Sequence, residues 1–262
     1  KLVKYLVKNG AYLDEFYTGL TPLHYAAQKN NLAVAEYLIN KGMDVNKMTV
    51  TGETALYYAI QYGHLNMVRY LVEKGAYLDS LDKQHNTPLF YATLFGYTDI
   101  VSFLLSKKVK LDLKMPSHLS PLQIATLKGD LVLVKCLVEN GANLAIKDAN
   151  NSTLLHNAIH DGYSDLVNFF LEKKIDLETK DNDGNTALHY AVLMDDLESV
   201  KSLINAGADL TAVNIKSYTP LQISIVDNNI NLMEFLVKET AIKFTLKCEA
   251  LYEQILHFSA AH

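Results

Sequence analysis

The sequence predicts an all-α fold, a solenoid of small stacked units rather than one globular core. A seven-residue phrase, Thr-Pro-Leu-His-Tyr-Ala-Ala, begins at Thr21 and returns at a strict spacing of 33 residues. Each interval contains two stretches with the apolar spacing of a helix. A fixed period of this length is typical of repeat architectures, in which each unit packs only on its neighbours. The later copies open at Thr54, Thr87, Ser120, Thr153, Thr186 and Thr219.

The phrase has the features of a short helix and its start. Thr21 suits the N-cap position, and Pro22 suits the first helical position, where no backbone N–H is needed. Leu23, Ala26 and Ala27 then form the inward face. We expect the helix to end in a left-handed residue, because its end position holds only residues that tolerate positive φ. Across the copies that position reads Asn30, Gly63, Gly96, Gly129, Gly162, Asp195 and Asn228.

A second helix follows in every unit, with apolar residues at i, i+3 and i+4. In the first unit these are Ala35, Leu38 and Ile39, and an extended stretch over 43–46 leads into a predicted hairpin finger. Glycine ends this helix at 42, 75, 141 and 207, whereas Lys108, Lys174 and Thr240 replace it elsewhere. A Cβ at positive φ costs about 1 kcal/mol, so the sequence predicts adapted or frayed ends at these three positions.

These features resemble the ankyrin repeat. The resemblance is carried by Thr-Pro-Leu-His-x-Ala-Ala, the glycine-like cap, the paired aliphatic residues and the ending Gly-Ala-Asp, as in Ala206-Gly207-Ala208-Asp209. It covers nearly the whole chain. It implies an ankyrin-repeat solenoid of stacked antiparallel helix pairs, with short β-hairpin fingers projecting to one side.

The register predicts a single array over residues 1–262. Residues 1–14 read as a partial repeat, 15–245 as seven full repeats and 246–262 as the start of an eighth. Because neither end has a polar capping unit, we interpret the chain as a fragment of a longer protein.

Composition bears on the kind of partner. The net charge is −5, and Arg69 is the one arginine among 24 basic residues, so the arginine forks typical of nucleic-acid recognition are missing. Two cysteines far apart in sequence favour a reducing compartment. No apolar run approaches the roughly 18 residues of a membrane span. We therefore expect a protein or peptide partner, no nucleic acid, no membrane insertion, and a cytoplasmic location.

A candidate binding surface follows from the register, since ankyrin-like stacks recognise proteins through finger tips and the exposed side of the first helices. Aromatic and aliphatic residues dominate these positions in the first four units, and aromatic anchors dominate interface energetics. The alternative is that the tyrosines pack partly on neighbouring fingers. The candidate protein-binding residues are Tyr25, Tyr58, Tyr62, Tyr91, Leu94, Phe95, Ile124 and Leu127, with Tyr17 and Leu20 from a finger.

Other residues are interpreted as structural. His24, His156, His189 and His257 recur at the phrase position and are expected to tie adjacent units by hydrogen bonds. His156 and His160 have i, i+4 spacing, but no third metal ligand is evident. The second helices carry a further aromatic series that we expect to be core, at Tyr37, Tyr70, Phe103, Cys136, Phe169, Ser202 and Phe235.

The sequence thus predicts a non-catalytic protein-interaction module without cofactor, catalytic residues or metal. No phosphate-binding glycine loop, nucleophile elbow or carboxylate pair in a cleft is present to support an enzyme. Two alternatives stay open for the parent protein. One is a secreted pathogen or symbiont effector that targets a host protein, which would place the chain in the host cytoplasm. The other is the cytosolic regulatory region of a channel or enzyme.

Overall fold

A computed structural model of the chain describes residues 19–111 and 119–241. The chain divides into two compact units, residues 1–143 and 144–262. In unit 1 the helices are α1 (Pro22–Gln28), α2 (Leu32–Asn40), α3 (Ala55–Gln61), α4 (Leu65–Glu73), α5 (Pro88–Phe95), α6 (Thr98–Ser106), α7 (Pro121–Leu127) and α8 (Leu131–Glu139). In unit 2 they are α9 (Leu154–His160), α10 (Ser164–Glu172), α11 (Ala187–Leu193), α12 (Leu197–Asn205) and α13 (Pro220–Val226), and a helical run follows over 230–241.

Odd-numbered helices are the first helices of their repeats, and even-numbered helices are the second helices. Within unit 1, α1, α3, α5 and α7 pack on one another in sequence, and α4, α6 and α8 do the same. Within unit 2, α9, α11 and α13 form one layer, and α10 packs on α12. The predicted class, an all-α solenoid of helix pairs, is therefore confirmed.

Within each unit the core lies between successive repeats and follows the predicted register. The phrase leucine is buried at 23, 56, 89, 122, 155 and 188. The valine of the second helix is buried at 68, 101, 134, 167 and 200. A seven-residue helix such as α1 is too short to be stable alone, so this shared burial is what holds each repeat in place.

The predicted left-handed helix ends are confirmed. Every residue of the column from Asn30 to Asn228 has positive φ, including Asp195 at 56°. Lys108 and Lys174 keep the left-handed turn despite their side chains, with φ of 58° and 54°. Thr240 does not, because it lies within the helical run over 230–241. The terminal segments 1–18 and 242–262, for which we predicted partial repeats, lie outside the described residues.

The fingers are tight loops rather than extended ladders. Each finger within residues 19–111 and 119–241 is closed by a backbone bond across five residues, such as Thr49 N to Glu53 O at 2.9 Å and Asp181 N to Asn185 O at 3.0 Å. One antiparallel bridge, between Lys147 and Thr153, is the strand pairing that the described ranges contain. Neighbouring fingers are joined by a single backbone bond, as from Ile215 N to Asp183 O at 3.0 Å.

The second-helix aromatic series is less buried than predicted. Phe169 is buried, whereas Tyr37, Tyr70 and Phe103 are only half-buried, and Cys136 is also partly exposed. Lysines one turn later lie over these rings, with Nζ 5.9 Å from the Tyr37 centroid and 5.5 Å from the Tyr70 and Phe103 centroids. The rings therefore line the outer edge of the repeat interface, where cations cover them.

Three of the phrase histidines connect consecutive repeats, as predicted, and the fourth, His257, lies outside the described residues. His156 Nε2 lies 3.1 Å from Asn185 O, and His189 Nε2 lies 3.0 Å from Tyr218 O. Because a carbonyl oxygen only accepts, Nε2 carries the proton. Nδ1 of His156 then accepts from the backbone N–H of Thr153 at 3.2 Å. His24 makes the same pair of contacts, to Glu53 O and to Thr21 N.

Tyr57 replaces the histidine in the second repeat and preserves the connection to the third. Its single hydroxyl proton is shared between two carbonyl oxygens, Ser80 O at 2.6 Å and Asn86 O at 2.9 Å. The substitution removes the imidazole that would contact the capping threonine. Thr54 Oγ1 is consequently buried without a hydrogen-bond partner among the described residues.

Substitution of the capping threonines should reveal this difference. We expect Thr153→Val to lower the free energy of unfolding by about 1–2 kcal/mol, because Oγ1 accepts from His156 N and contacts His156 Nδ1 at 2.7 Å. Thr54→Val should change it by less than about 0.5 kcal/mol or stabilise the fold, since it removes an unpaired buried hydroxyl. Urea denaturation of both variants measures this, and equal losses would contradict the assignment.

Finger packing is testable with two glycines of nearly identical backbone conformation. Gly184 has φ +73°, and a Cβ there would lie 2.8 Å from Ile215 N; Gly162 has φ +74° with nothing within 4 Å. Gly162→Ala should cost about 1–2 kcal/mol from backbone strain alone. Gly184→Ala should cost at least about 1 kcal/mol more, because the next finger must move away. Thermal and urea denaturation compare the two, and a Gly184→Ala cost no larger than that of Gly162→Ala would refute close finger contact.

The buried histidines predict loss of stability in mild acid. Burial lowers the pKa of His24, His156 and His189 below the ordinary value of 6.5. Below about pH 6.5 the unfolded chain therefore binds protons that the folded chain does not, so the free energy of unfolding falls as the pH falls.

Glutamine is the matched replacement, because Gln123 and Gln222 occupy this position in other repeats and complete the same capping box. The His156→Gln/His189→Gln variant should show a flatter dependence of stability on pH between 7.5 and 5.5 than the original chain. Urea titrations at several pH values measure this. An unchanged slope would show that these imidazoles do not set the acid sensitivity.

Candidate protein-binding surface

The first helices of unit 1 end in a row of large exposed side chains. Tyr25, Tyr62 and Phe95 are 45–49% exposed, and Leu94 and Leu127 are also exposed. They lie in or directly after the last turns of α3, α5 and α7, with Tyr25 within α1. Because these helices pack side by side, the five residues share one edge of unit 1. We call them the unit 1 apolar row.

Two predicted members, Tyr58 and Tyr91, are half-buried and held by the repeat itself. The hydroxyl of Tyr91 donates to Asp82 Oδ2 at 2.7 Å, and burial together with this bond raises the Tyr91 pKa to about 12. Burial, with Glu53 nearby, likewise raises the Tyr58 pKa to about 12. The alternative reading, packing on fingers, therefore describes these two tyrosines.

Ile124 does not belong to the exposed surface, and its inclusion was wrong. It is 6% exposed. The equivalent tyrosines stay partly exposed because their rings extend past the repeat interface, whereas the shorter aliphatic side chain ends inside it. Leu20 is half-buried, and Tyr17 lies outside the described residues.

A series of contacts between aromatic rings holds Phe95, one member of the row, in position. Tyr91 meets Tyr57 edge-on at 5.6 Å between ring centroids and stacks on Phe95 at 6.2 Å. Phe95 in turn lies 6.1 Å from Tyr97. A Cβ on Gly63 would lie 2.9 Å from the Tyr97 ring, so glycine gives this ring space against the preceding repeat. Phe95 is thus held in place on one side while its other side faces solvent.

Tyr97 and His64, which were not among the predicted site residues, are the N-cap residues of α6 and α4. At the same position Asn31, Asp130 and Asp196 accept a backbone N–H with their side chains. His64 instead places Nε2 2.9 Å from Gln28 O and stacks on Tyr62. Loss of a preferred N-cap residue in this column was the available signal, and it also marks Tyr163 in unit 2.

Charges are arranged differently at the helix ends of the two units. In unit 1 the residue directly after the first helix is Lys29 in the first repeat, Tyr62 in the second and Lys128 in the fourth. In the third repeat the helix is one residue longer and Phe95 is its last residue. Lys128 Nζ donates to Leu94 O. In unit 2 the same position reads Asp161, Met194 and Asp227. The unit 1 row therefore has an aromatic centre between two lysines.

A metal site at His156 and His160 finds no geometric support. Both ring nitrogens of His156 are engaged within the repeats, and His160 Nδ1 lies 2.8 Å from Asp161 Oδ1 at the surface. Across residues 19–111 and 119–241, no three side chains of histidine, cysteine, aspartate or glutamate come together as metal ligands. In the same ranges no helix has the length and apolar character needed to cross a bilayer.

Comparison with known proteins agrees with this architecture. A family profile described as "Ankyrin repeats (3 copies)" matches residues 1–49, 47–115, 122–214 and 179–248. The human ASB11 ankyrin repeat domain is 26% identical, with a TM-score of 0.70 over 84% of this chain and 98% of that one. The ankyrin repeat domain of Bcl-3, a member of the IkappaB protein family, is 25% identical, with a TM-score of 0.72 over 79% and 94%. No curated protein sequence matches significantly. The chain belongs to the ankyrin-repeat family.

Proposed function

We propose that this chain is a non-catalytic binding module whose unit 1 apolar row holds a segment of a partner protein. Ankyrin repeats are in general protein–protein interaction modules. The observation that carries the proposal is the row itself: Tyr62, Leu94, Phe95 and Leu127 are exposed at neighbouring helix ends, and Tyr25 is exposed within α1. Contiguous exposed apolar side chains of this size are typical of interaction sites.

The support of the row favours a binding role over incidental exposure. Phe95 is stacked on Tyr91, and the Tyr91 hydroxyl is fixed by Asp82. The Tyr62 hydroxyl accepts a bond from Gln28 Nε2 at 2.7 Å. Aromatic side chains that are already held in place lose little conformational entropy on binding. They are the residues from which interface hot spots are usually built.

The chemistry of the row indicates its ligand. Tyr62 and Phe95 offer apolar contacts at the centre, and Lys29 and Lys128 are exposed at the two ends. We therefore expect a segment with apolar side chains flanked by carboxylates. A cytoplasmic location and the absence of nucleic-acid binding remain predictions, as do the effector and channel alternatives.

The test uses the full chain as bait for affinity capture, with captured proteins identified by mass spectrometry. The Tyr62→Ser/Leu94→Gln/Phe95→Gln variant should weaken binding of the captured protein at least about 30-fold, because each lost anchor of hot-spot quality costs about 2 kcal/mol. Tyr58 and Tyr91 are left unchanged, since their hydroxyls are part of the fold.

The matched control is Leu32→Gln/Val132→Gln, which alters exposed apolar residues of the same unit on α2 and α8. It should retain the original affinity. Circular dichroism melting checks that both variants stay folded. Undiminished capture by the folded triple variant would refute the proposed surface.

A further inference from the structure

Unit 2 contains a recess between its last two described fingers and the ends of α11 and α13. Its volume is about 320 Å³. Leu193 and Val226 form the helix side, Ile215 and Tyr218 the finger side, and Ile223 lies at the bottom, only 4% exposed. The recess is at the small end of the size range for binding pockets, so it suits one long side chain rather than a folded segment.

Two carboxylates stand at this recess, Asp183 from a finger and Asp227 directly after α13. Among the described residues neither side chain has a hydrogen-bond or ion-pair partner, although both backbone N–H groups are bonded. The neighbouring amides are different. Asn214 Nδ2 donates to Asn185 Oδ1 at 3.0 Å, and Asn214 Oδ1 accepts from the backbone N–H groups of Lys216 and Tyr218. The polar side chains that shape the finger are thus satisfied, and the two carboxylates are not.

We infer that this recess binds an arginine side chain of a partner protein. Its apolar walls suit a methylene stem, and its open carboxylates suit a cationic head group. Lys216 is the one cation among the described residues that line the recess, so the lining carries two carboxylates and a single positive charge. Arginine fits better than lysine because a guanidinium group can form parallel bonds to a carboxylate and can also stack on the Tyr218 ring. The site is independent of the unit 1 apolar row, and its charge is of the opposite sign.

The probe is N-acetyl-arginine methylamide, titrated into the ¹⁵N-labelled full chain at low salt and followed by NMR. Saturable shifts are expected at the backbone amides of 183–185, 214–218 and 223–227. The citrulline analogue, which has the same shape without the charge, should give at most a tenth of the affinity. Equal binding of the citrulline analogue, or no saturable shift with the arginine probe, would overturn the inference.

Two substitutions in opposite directions sharpen the test. Asp183→Asn/Asp227→Asn should weaken the arginine probe at least about tenfold, while Lys216→Gln should strengthen it by roughly two- to fivefold. The matched control, Asp165→Asn/Glu172→Gln, removes the same net charge from exposed positions on α10 and should leave the affinity unchanged. Equal weakening by the control would show a general charge effect and refute a site at the recess. Failure here would leave capture by unit 1 untouched, so the two proposals can be judged separately.

Discussion

One interaction recurs along the stack and sets the register of the repeats that make it, the bond from the fourth residue of the phrase to a backbone carbonyl 29 residues later. His24, Tyr57, His156 and His189 all make it, with an imidazole in three cases and a phenol in one. The bond fixes the finger of one repeat against the first helix of the preceding repeat. Since each repeat is too short to bury its own apolar face, this register is a condition for the shared core. Phe90 occupies the same position in the third repeat and has no polar atom, so α5 and α7 there depend on apolar packing.

The sequence was a sufficient guide wherever a position has the same role in every copy. The buried leucines, the left-handed helix ends and the histidine connections all follow from reading one column across seven copies. It was insufficient where the role depends on the length of a side chain. Tyr91 and Ile124 occupy one column, but the tyrosine ring reaches the finger carboxylate of Asp82 whereas the isoleucine ends inside the interface. Periodicity specifies the direction of a side chain from the backbone and does not specify how far it extends or what it meets.

Repeat periodicity is also an incomplete guide to how the second helices end at Lys108 and Lys174. Intrinsic backbone preference disfavours lysine at positive φ, yet both residues adopt it, because the neighbouring repeats determine where the second helix must end. The strain of about 1 kcal/mol is small compared with the free energy gained when a correctly placed repeat buries its apolar surface. Thr240 has no glycine either, and there the helix continues through the position. Tertiary context therefore decides between two local outcomes that the amino-acid type alone does not distinguish.

Exposed residues that depart from the repeat pattern and are not needed for stacking point to function in an array of this kind. A column that keeps one residue type serves the stack, which is common to all repeats. His64 and Tyr97 give up a helix cap and gain contacts to the preceding repeat that shape the surface around Tyr62 and Phe95. Asp227 and Lys128 stand at corresponding helix ends with opposite charges. Because stacking neither requires nor explains these differences, they are free to specify a ligand, and they give the two units surfaces of different chemistry. A single partner that engaged both would need an apolar segment with acidic flanks for one unit and a cationic side chain for the other.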